Sequence, residues 1–327
     1  VRILMVADPQ LVGIQDESQI FGGITRWDLD RYLSKTFHHA VNNFEPDVIL
    51  FLGDLLDEGS KASKEEYQSY IKRFRAIFQS TAPVSSFFYG CITAFLSASF
   101  QHVYIPGDND VGGEAYDMKT DAKVKRFNRN FLHSDSTHTS SVTKVKFIDF
   151  LRVNLYVELM AQQSSHDAFH FLLNHMSILS RSRPEIHSLL ERTKADLIIV
   201  AHSHNARLYS CLECLSRPEL FRGQFPFKGG IQQIDSYESF HFQLSNRSVL
   251  HEVMVPTCSY RMGVPHMGYG AAVATGDVRY SILWTPPRYP QLHLMLAAAV
   301  CIALLLVIKL LSDLLNAFAR RRHFSLP

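Results

Sequence analysis

Short apolar runs, each followed at once by a cluster of polar residues, recur along the first two thirds of the chain. They occupy residues 3–7, 48–52, 103–105, 169–173 and 197–200. The runs are rich in β-branched residues and do not alternate with polar positions, which is typical of strands buried on both faces. Between some of them, apolar positions recur every three or four residues and predict helices at residues 28–43 and 63–79. The sequence therefore predicts an α/β fold.

Polar side chains stand where each predicted strand ends. They are Asp8 and Gln10, Asp54 and Asp57, Asp108, Asn109 and Asp110, His175, and His202 and His204. Because ligand sites in α/β sheets lie at the carboxyl ends of the strands, we expect these side chains to converge. Taken singly, each has an ordinary explanation: an Asp after a strand is a turn or cap residue, and a lone His is more often structural than a ligand. Together, carboxylates, a carboxamide and imidazoles without a thiolate are ligands suited to manganese, iron or zinc, and a central carboxylate can bridge two ions.

The composition is that of a folded protein and excludes several functional classes. The chain has 327 residues, of which 46% are hydrophobic and 20% charged, so it is neither disordered nor collagen-like. A formal charge of +2 provides no basic field, and we therefore expect no nucleic-acid partner. Five cysteines are too few for a disulfide-built scaffold. The close pair Cys211 and Cys214, in a predicted loop at residues 211–227, either forms a disulfide or has no such role.

The end of the chain is a continuous apolar stretch at residues 292–311, close to the ~20 residues that span a bilayer. A buried core helix is the alternative, but Lys309 and the cluster Arg320-Arg321-Arg322 flank one side only, as at a cytoplasmic helix end. We therefore expect a luminal domain at residues 1–280, a linker at 281–291, a transmembrane helix at 292–311 and a cytoplasmic tail at 312–327. Because the first predicted strand starts almost at Val1, without a signal peptide, we also expect a segment upstream.

A second apolar stretch, at residues 82–100, interrupts the pattern just before the third predicted strand. A membrane span at this position would place the two halves of the predicted site on opposite sides of the bilayer. We therefore interpret it as an inserted buried or interfacial segment, or as an artefact of the gene model.

The polar clusters resemble, in order, the motifs of the calcineurin-like metallophosphoesterases. Those motifs are Asp-x-His, Gly-Asp-x-x-Asp, Gly-Asn-His-Asp/Glu, a lone His, and Gly-His-x-His. Here they read Asp8-Pro9-Gln10, Gly53-Asp54-Leu55-Leu56-Asp57, Gly107-Asp108-Asn109-Asp110, Asn174-His175 and Ala201-His202-Ser203-His204. The resemblance implies a four-layer α/β/β/α sandwich, here with a C-terminal transmembrane helix, and a phosphoesterase that uses two divalent ions.

The same resemblance implies which residues hold each ion. One ion would be bound by Asp8, Gln10, Asp54 and His204, and the other by Asp54, Asp108, His175 and His202. Water would attack phosphorus directly, without a covalent enzyme intermediate.

Further motifs are similar to those of one membrane-bound branch of the family, the Cdc1/Ted1 branch. They are Arg26-Trp27-Asp28 and Val255-Pro256-Thr257-Cys258-Ser259-Tyr260-Arg261, followed by the apolar helix. This narrower resemblance implies Mn²⁺ as the metal and a lumen-facing enzyme of endoplasmic reticulum exit sites, the intermediate compartment and the Golgi. It also implies removal of ethanolamine phosphate from the second mannose of glycosylphosphatidylinositol (GPI) anchors, which assists export. The implied partners are GPI-anchored proteins as substrates and, further, cargo receptors.

Three departures from the motifs affect the chemistry. Gln10 replaces a His ligand, and Asp108 replaces an Asn ligand and adds negative charge. Asn109 stands at the catalytic His position, and an amide cannot deliver a proton to a leaving alkoxide. Either Asp110, a metal-bound water or a substrate group supplies it, or hydrolysis by this chain is slow. Two alternatives stay open: a phosphatase acting on another phosphoester, and a non-catalytic factor that binds GPI-anchored cargo.

Overall fold

The computed structural model describes residues 1–79, 100–114, 116–133, 142–153, 168–180, 184–214, 229–244 and 248–323. The chain divides into two compact units, Val1–Thr285 and Pro286–Pro327. The apolar stretch at 82–100 lies outside the described residues, apart from Phe100.

Two mixed sheets form the centre of the first unit. Their strands are β1 (Arg2–Val6), β2 (Val48–Phe51), β3 (Gln101–Tyr104), β4 (Val142–Val145), β5 (Ile148–Arg152), β6 (Phe169–Leu173), β7 (Leu197–Val200), β8 (Arg207–Leu212), β9 (Gly229–Gln233), β10 (Ser239–Phe242), β11 (Val249–Met254), β12 (Gly268–Ala274) and β13 (Val278–Trp284). The first sheet has the order β10-β13-β12-β1-β2-β3, and the second has the order β4-β5-β6-β7-β11-β8-β9. Strands β1, β2 and β3 are parallel neighbours, as are β6 and β7.

The helices described are α1 (Gly22–Phe44), α2 (Lys64–Phe78), the short α3 (Asp108–Val111), α4 (Asp121–Phe127), α5 (Pro184–Thr193) and α6 (Arg288–His323). A π-helical turn at Asn128–Leu132 continues α4, and a 3₁₀ turn lies at Tyr260–Met262.

The sheets pack face to face, with helices on their outer faces. The central core joins both sheets through side chains that include Ile3, Met5, Leu50, Val103, Phe150, Phe171, Leu197 and Val253. Helices α1 and α2 cover the first sheet through the aromatic contacts Phe37–Tyr269 and Phe51–Phe74. Helix α5 covers the second sheet, where Leu189 and Leu190 join a cluster with Leu172 and Ile198. This arrangement confirms the predicted four-layer α/β/β/α fold.

The two predicted helices are present, but α1 begins six residues earlier than expected. Asp28 was expected at its start; instead it is buried within the helix, where its carboxylate accepts a hydrogen bond of 2.9 Å from the Tyr260 hydroxyl. Gly22 and Gly23 have low helix propensity, so the sequence gives no sign of the first turn. Helix α2 starts as expected, because Ser63 and Glu66 form a reciprocal capping box.

The C-terminal elements differ in their bounds from the expected ones. Residues 281–284 belong to β13, which pairs with β12, so they are not part of a linker. Helix α6 begins at Arg288, and its segment Arg288–Ala317 is the one helix in the described part of the chain that is long and apolar enough to span a membrane. Cys211 was expected in a loop but lies in β8, because it pairs with Leu250 of β11. It forms a disulfide with Cys214. The rest of that expected loop, from residue 215, lies outside the described residues.

Candidate metal centre

The carboxyl ends of five strands bring the predicted site residues together. Asp8, Asp54 and Asp108 follow the parallel strands β1, β2 and β3. His175 follows β6, and the pair His202 and His204 follows β7 in the second sheet. The site therefore lies where the two sheets meet, with carboxylates from one sheet facing imidazoles from the other.

Four of these side chains form a tight cluster. One ligand atom each from Asp54, Asp108, His175 and His202 lies within 4.8 Å of all the others. His175 Nε2 lies 3.4 Å from Asp54 Oδ2 and 3.2 Å from Asp108 Oδ1, and His202 Nδ1 lies 3.2 Å from Asp108 Oδ1. This is the set expected for the second ion, and the cluster could bind a metal.

The side chains expected at the first ion also contact one another. Gln10 Nε2 lies 3.1 Å from Asp54 Oδ2 and 3.2 Å from His204 Nε2. Asp8 Oδ1 accepts a hydrogen bond of 3.3 Å from the backbone N–H of His202. A half-turn of the Gln10 amide would present its oxygen as a ligand. Asp54 is thus shared by both groups, as a bridging carboxylate must be.

Buried polar atoms that lack a hydrogen-bond partner test whether a cation fits here. Among the described residues they include Asp8 Oδ2, Asp108 Oδ1 and His175 Nε2, all in this centre; the last two atoms lie 3.2 Å apart without forming a hydrogen bond. Such atoms are costly unless something else binds them. His175 is already oriented by its other ring nitrogen, Nδ1, which lies 2.7 Å from the Leu52 carbonyl oxygen. The residues therefore fit a metal of the oxygen- and nitrogen-binding kind, while its identity is not fixed by them.

The electrostatics of the centre favour positive charge. Burial raises the pKa of Asp8 to about 7. Burial alone would lower the pKa of His175, but Asp54 and Asp108 beside it raise that pKa well above its usual value. Burial would raise the pKa of Asp108, but His175 and His202 outweigh it and lower that pKa below its usual range. The carboxylates thus attract either a proton on His175 or a divalent cation.

The backbone at the site is strained. Five candidate ligands have positive φ angles: Asp8 (44°), Gln10 (37°), Asp54 (50°), His202 (71°) and His204 (62°). Each such residue costs on the order of 1 to 3 kcal/mol and persists only where its surroundings enforce it. The left-handed turns bend each strand end so that successive side chains face the same centre.

Two glycines permit the close approach of these loops. A Cβ atom on Gly53, whose φ is +93°, would lie 2.6 Å from His175 Nδ1. A Cβ atom on Gly107 would lie 2.0 Å from Asp54 Oδ1. The glycine in each Gly-Asp motif is therefore required by the packing of the ligands themselves.

The two predicted catalytic residues have different environments. Asn109 reaches the centre: its backbone N–H and its Nδ2 donate to Asp54 Oδ1 and Oδ2 at 3.0 and 3.1 Å. Asp110 is fully buried, and its two oxygens accept backbone N–H bonds from Gly107, Leu55 and Leu56 at 2.9 to 3.2 Å. Its oxygens therefore join two loops, and burial raises its pKa to about 7. Its role as a proton donor stays a prediction.

Asp57, the last residue of its motif, is not among the clustered ligands. Burial, followed by the nearby Glu58 carboxylate, raises its pKa to about 6. Glu58 itself accepts backbone N–H bonds from Ile14, Gln15 and Asp16, and so fixes the loop that follows Gln10.

Three residues near the centre were not assigned from the sequence. The buried Thr257 donates from Oγ1 to the Asp8 carbonyl oxygen at 2.7 Å, and its motif was a sequence signal without a role. Glu252 is fully buried in β11 and accepts hydrogen bonds from the loop that follows His175. The sequence signal that could have identified Glu252 is its position as a charged residue within the largely apolar strand β11. Glu114 interacts with Asp108, which raises the Glu114 pKa, and nothing in the motifs marks it.

The fold and the centre first define a class, the metal-dependent phosphoester hydrolases, in which strand-end carboxylates and imidazoles bind ions. A family model then identifies the lineage: the model for calcineurin-like phosphoesterase matches residues 1–206, and the chain belongs to this family. The chain thus carries a calcineurin-like phosphoesterase domain.

Known relatives are similar at low identity. Metallophosphoesterase 1 homolog of Drosophila melanogaster is 25% identical over 147 residues, covering 45% of this chain and 34% of that protein. Metallophosphoesterase 1 of Danio rerio is 24% identical over 153 residues, covering 47% and 33%. The alignments thus span about a third of the length of these relatives. A solved metallophosphoesterase from Sphaerobacter thermophilus aligns over 86% of this chain and 88% of that chain, with a TM-score of 0.40 and 11% identity.

Proposed function

We propose that the protein is a membrane-anchored phosphodiesterase that removes an ethanolamine-phosphate side branch from the second mannose of GPI anchors. It would face the lumen of the early secretory pathway, use two Mn²⁺ ions and assist export of GPI-anchored proteins, which are its proposed substrates. The observation that carries the hydrolytic part is the cluster of Asp54, Asp108, His175 and His202.

Contacts between the branch motifs support the finer part of the proposal. Tyr260 donates to Asp28, so the Arg26-Trp27-Asp28 motif and the Thr257-to-Arg261 segment pack together. Thr257 connects the same segment to Asp8 at the centre. Helix α6 supports membrane anchoring, and the basic cluster beyond it supports a luminal catalytic unit.

The chain's own residues supply positioning and charge. When bound, two divalent ions would polarise the phosphoryl oxygens and activate water. Asp54 lies between both ligand groups, and its two oxygens also accept hydrogen bonds from Asn109, which fixes its orientation. The Asn109 amide can donate a hydrogen bond to a phosphoryl oxygen but cannot protonate the leaving alkoxide. A small cavity beside Asp108 and His175 is also lined by Pro106, Val111, Lys119, Val153 and Met176.

Asn109 favours one other function, a cargo-binding factor that keeps the ions without catalysis. The two functions differ in what His175 does. In an enzyme, loss of His175 abolishes both hydrolysis and cargo export; in a binding factor, export does not require hydrolysis.

The direct test is mass spectrometry of a GPI glycan incubated with the purified full chain in detergent and Mn²⁺. Loss of one ethanolamine phosphate, absent with chelator and absent with His175→Ala, is the expected result. His241→Ala, which alters an exposed histidine on β10, is the matched control and should retain activity. No hydrolysis with bound metal confirmed, together with normal cargo export by His175→Ala, would contradict the enzymatic proposal.

A further inference from the structure

Four large apolar side chains are exposed at the start of α1, on the segment that follows the loop of Asp8 and Gln10. We name them the α1 patch; their exposed fractions are 80% for Ile20, 63% for Phe21, 65% for Ile24 and 60% for Trp27. Phe21, Ile24 and Trp27 are three residues apart and so share one helix face. The buried residues that follow, Leu29 and Leu33, face the core. A contiguous exposed apolar surface of this kind marks an interaction site.

The α1 patch lies near the point where the chain leaves the catalytic unit. Tyr32, on the same helix, donates to Thr285 Oγ1 at 2.9 Å, and Thr285 is also fixed to Met267 by a backbone bond of 2.8 Å. Tyr32 is five residues from Trp27, or about 7.5 Å along the helix. Thr285 is the last residue of the unit, and only Pro286 and Pro287 separate it from α6.

Covalent geometry limits how far Thr285 can lie from a membrane that contains α6. The apolar stretch of α6 begins at Leu292. Three extended steps and four helical steps from Thr285 to Leu292 cover at most about 17 Å. The headgroup layer alone is about 5 to 7 Å thick. A bilayer that contains this apolar stretch would therefore lie within that distance of Thr285, the residue that Tyr32 of α1 contacts.

Helix α1 is also joined to the metal centre. Next to the patch, Arg26 donates to the Gly13 carbonyl oxygen in the loop after Gln10, at 3.1 Å. One residue further, Asp28 accepts from Tyr260, in the segment that contacts Asp8 through Thr257. Binding of the α1 patch to another surface would thus fix the distance between that surface and the metal centre.

We infer that the α1 patch inserts into the interface of a phospholipid bilayer and holds the metal centre at the height of phosphoesters carried on lipid. This inference rests on the proposed membrane anchoring and phosphodiesterase function. Trp27 suits an interface because its ring is apolar and its N–H is polar. Arg31, whose guanidinium lies 5.5 Å from the centre of the Trp27 ring, brings positive charge to the lipid phosphates.

The depth of Trp27 is the first test. The chain has two tryptophans, so Trp284→Phe leaves Trp27 as the single tryptophan, which is excited selectively. This full-length variant is placed in nanodiscs of palmitoyl-oleoyl phosphatidylcholine with or without brominated acyl chains. Bromine near the interface should quench Trp27 emission about twofold, since the indole would then lie in the glycerol region. Ile24→Glu should remove the quenching, whereas Ile231→Glu, at a similarly exposed isoleucine on β9, should not.

Hydrolysis separates failure of this inference from failure of the proposed function. The full chain in nanodiscs is given a phosphodiester on a lipid headgroup and, separately, soluble bis(p-nitrophenyl) phosphate. Ile24→Glu should lower the ratio of lipid-borne to soluble turnover about tenfold, and Ile231→Glu should leave it unchanged. If neither substrate is hydrolysed, the proposed phosphodiesterase function is contradicted. The quenching of Trp27 would still show whether the α1 patch contacts the membrane, because that measurement does not depend on activity. Unquenched Trp27, or a dimer that Ile24→Glu dissociates, would overturn the membrane contact.

Discussion

Glu252 offers a sharp test of how the fold holds the centre. Its carboxylate is fully buried between β11 and the loop that carries His175. Oε2 accepts the backbone N–H groups of Ile178 and Leu179, both at 2.8 Å, and Oε1 accepts the Ser177 hydroxyl. Burial raises the pKa of Glu252, so the charged form of this carboxylate is destabilised in the folded state. The stabilisation of the loop therefore comes from the two backbone hydrogen bonds.

Two substitutions at this position should therefore differ. Glu252→Ala leaves two backbone donors buried without an acceptor, at about 1 to 3 kcal/mol each. Relief of the buried charge offsets part of this, and we expect a net loss of about 2 to 4 kcal/mol in unfolding free energy. Glu252→Gln keeps an oxygen for both N–H groups and presents its NH₂ to the Ser177 hydroxyl, so it should stay within about 1 kcal/mol of the natural chain.

Urea unfolding of the full chain in detergent, followed by circular dichroism, measures these differences. Metal content after dialysis supplies a second readout, since Glu252→Ala should weaken metal binding about 10- to 100-fold by loosening His175. Glu45→Ala, at a 70% exposed side chain paired with Arg2, is the control and should change stability by less than about 1 kcal/mol. A loss below about 1 kcal/mol for Glu252→Ala, or an equal loss for Glu252→Gln, would refute the reasoning.

Three further substitutions test separate parts of the structure. Asn109→His should raise the rate of hydrolysis of an alkyl phosphodiester about 10²-fold or more, because His can protonate the leaving alkoxide. It should hardly change the rate for a p-nitrophenyl diester, whose leaving group needs no general acid. Equal effects on both substrates would contradict the explanation that Asn109 leaves the site without a general acid. Arg73 binds Asp30 through two bonds of 2.7 and 2.8 Å and the Val12 carbonyl oxygen at 2.7 Å, so Arg73→Lys should cost about 1 to 2 kcal/mol in urea unfolding. The folded pKa of Asp57, about 6, exceeds its unfolded value, so the folded state binds the proton more tightly and the unfolding free energy falls as pH rises from about 4 to about 6. Asp57→Asn should therefore recover about 1 to 3 kcal/mol of unfolding free energy at pH 7, measured as the pH dependence of urea unfolding. No gain in stability would disprove that this charge is buried.

The strands that carry the ligands could be predicted because each is a continuous apolar run. The predicted runs at 169–173 and 197–200 coincide with β6 and β7, whose residues are buried in the cores of the second sheet. Strands such as β10 and β12 have no such signal. Ser-Phe-His-Phe is short and mixed, and β12 contains two glycines, so both depend on partners that are remote in sequence. Arg2 pairs with Val273, for example, and no local pattern reveals that contact.

The centre was predictable in composition but not in conformation. Residue type and order identify Asp54, Asp108 and His175 as candidates, because few structural reasons place such side chains at successive strand ends. The positive φ angles at Asp8 and His202 are enforced by tertiary packing and leave no trace in local propensity. The same holds for Asp110, whose neighbours come from a loop some fifty-five residues earlier in the chain.

The charge of the centre bears on which phosphoester it favours. Two divalent ions would bring four positive charges, and Asp8, Asp54 and Asp108 would remove three of them. With Asn in place of Asp108, as in the family's usual motif, one more positive charge would remain, and the neutral Asn109 removes a further potential cation. A phosphodiester carries one negative charge and a monoester carries nearly two near neutral pH, so we expect this centre to prefer the diester. We therefore predict that Asp108→Asn shifts the ratio of diester to monoester kcat/KM toward the monoester, and a ratio that does not move would show that charge does not set this preference.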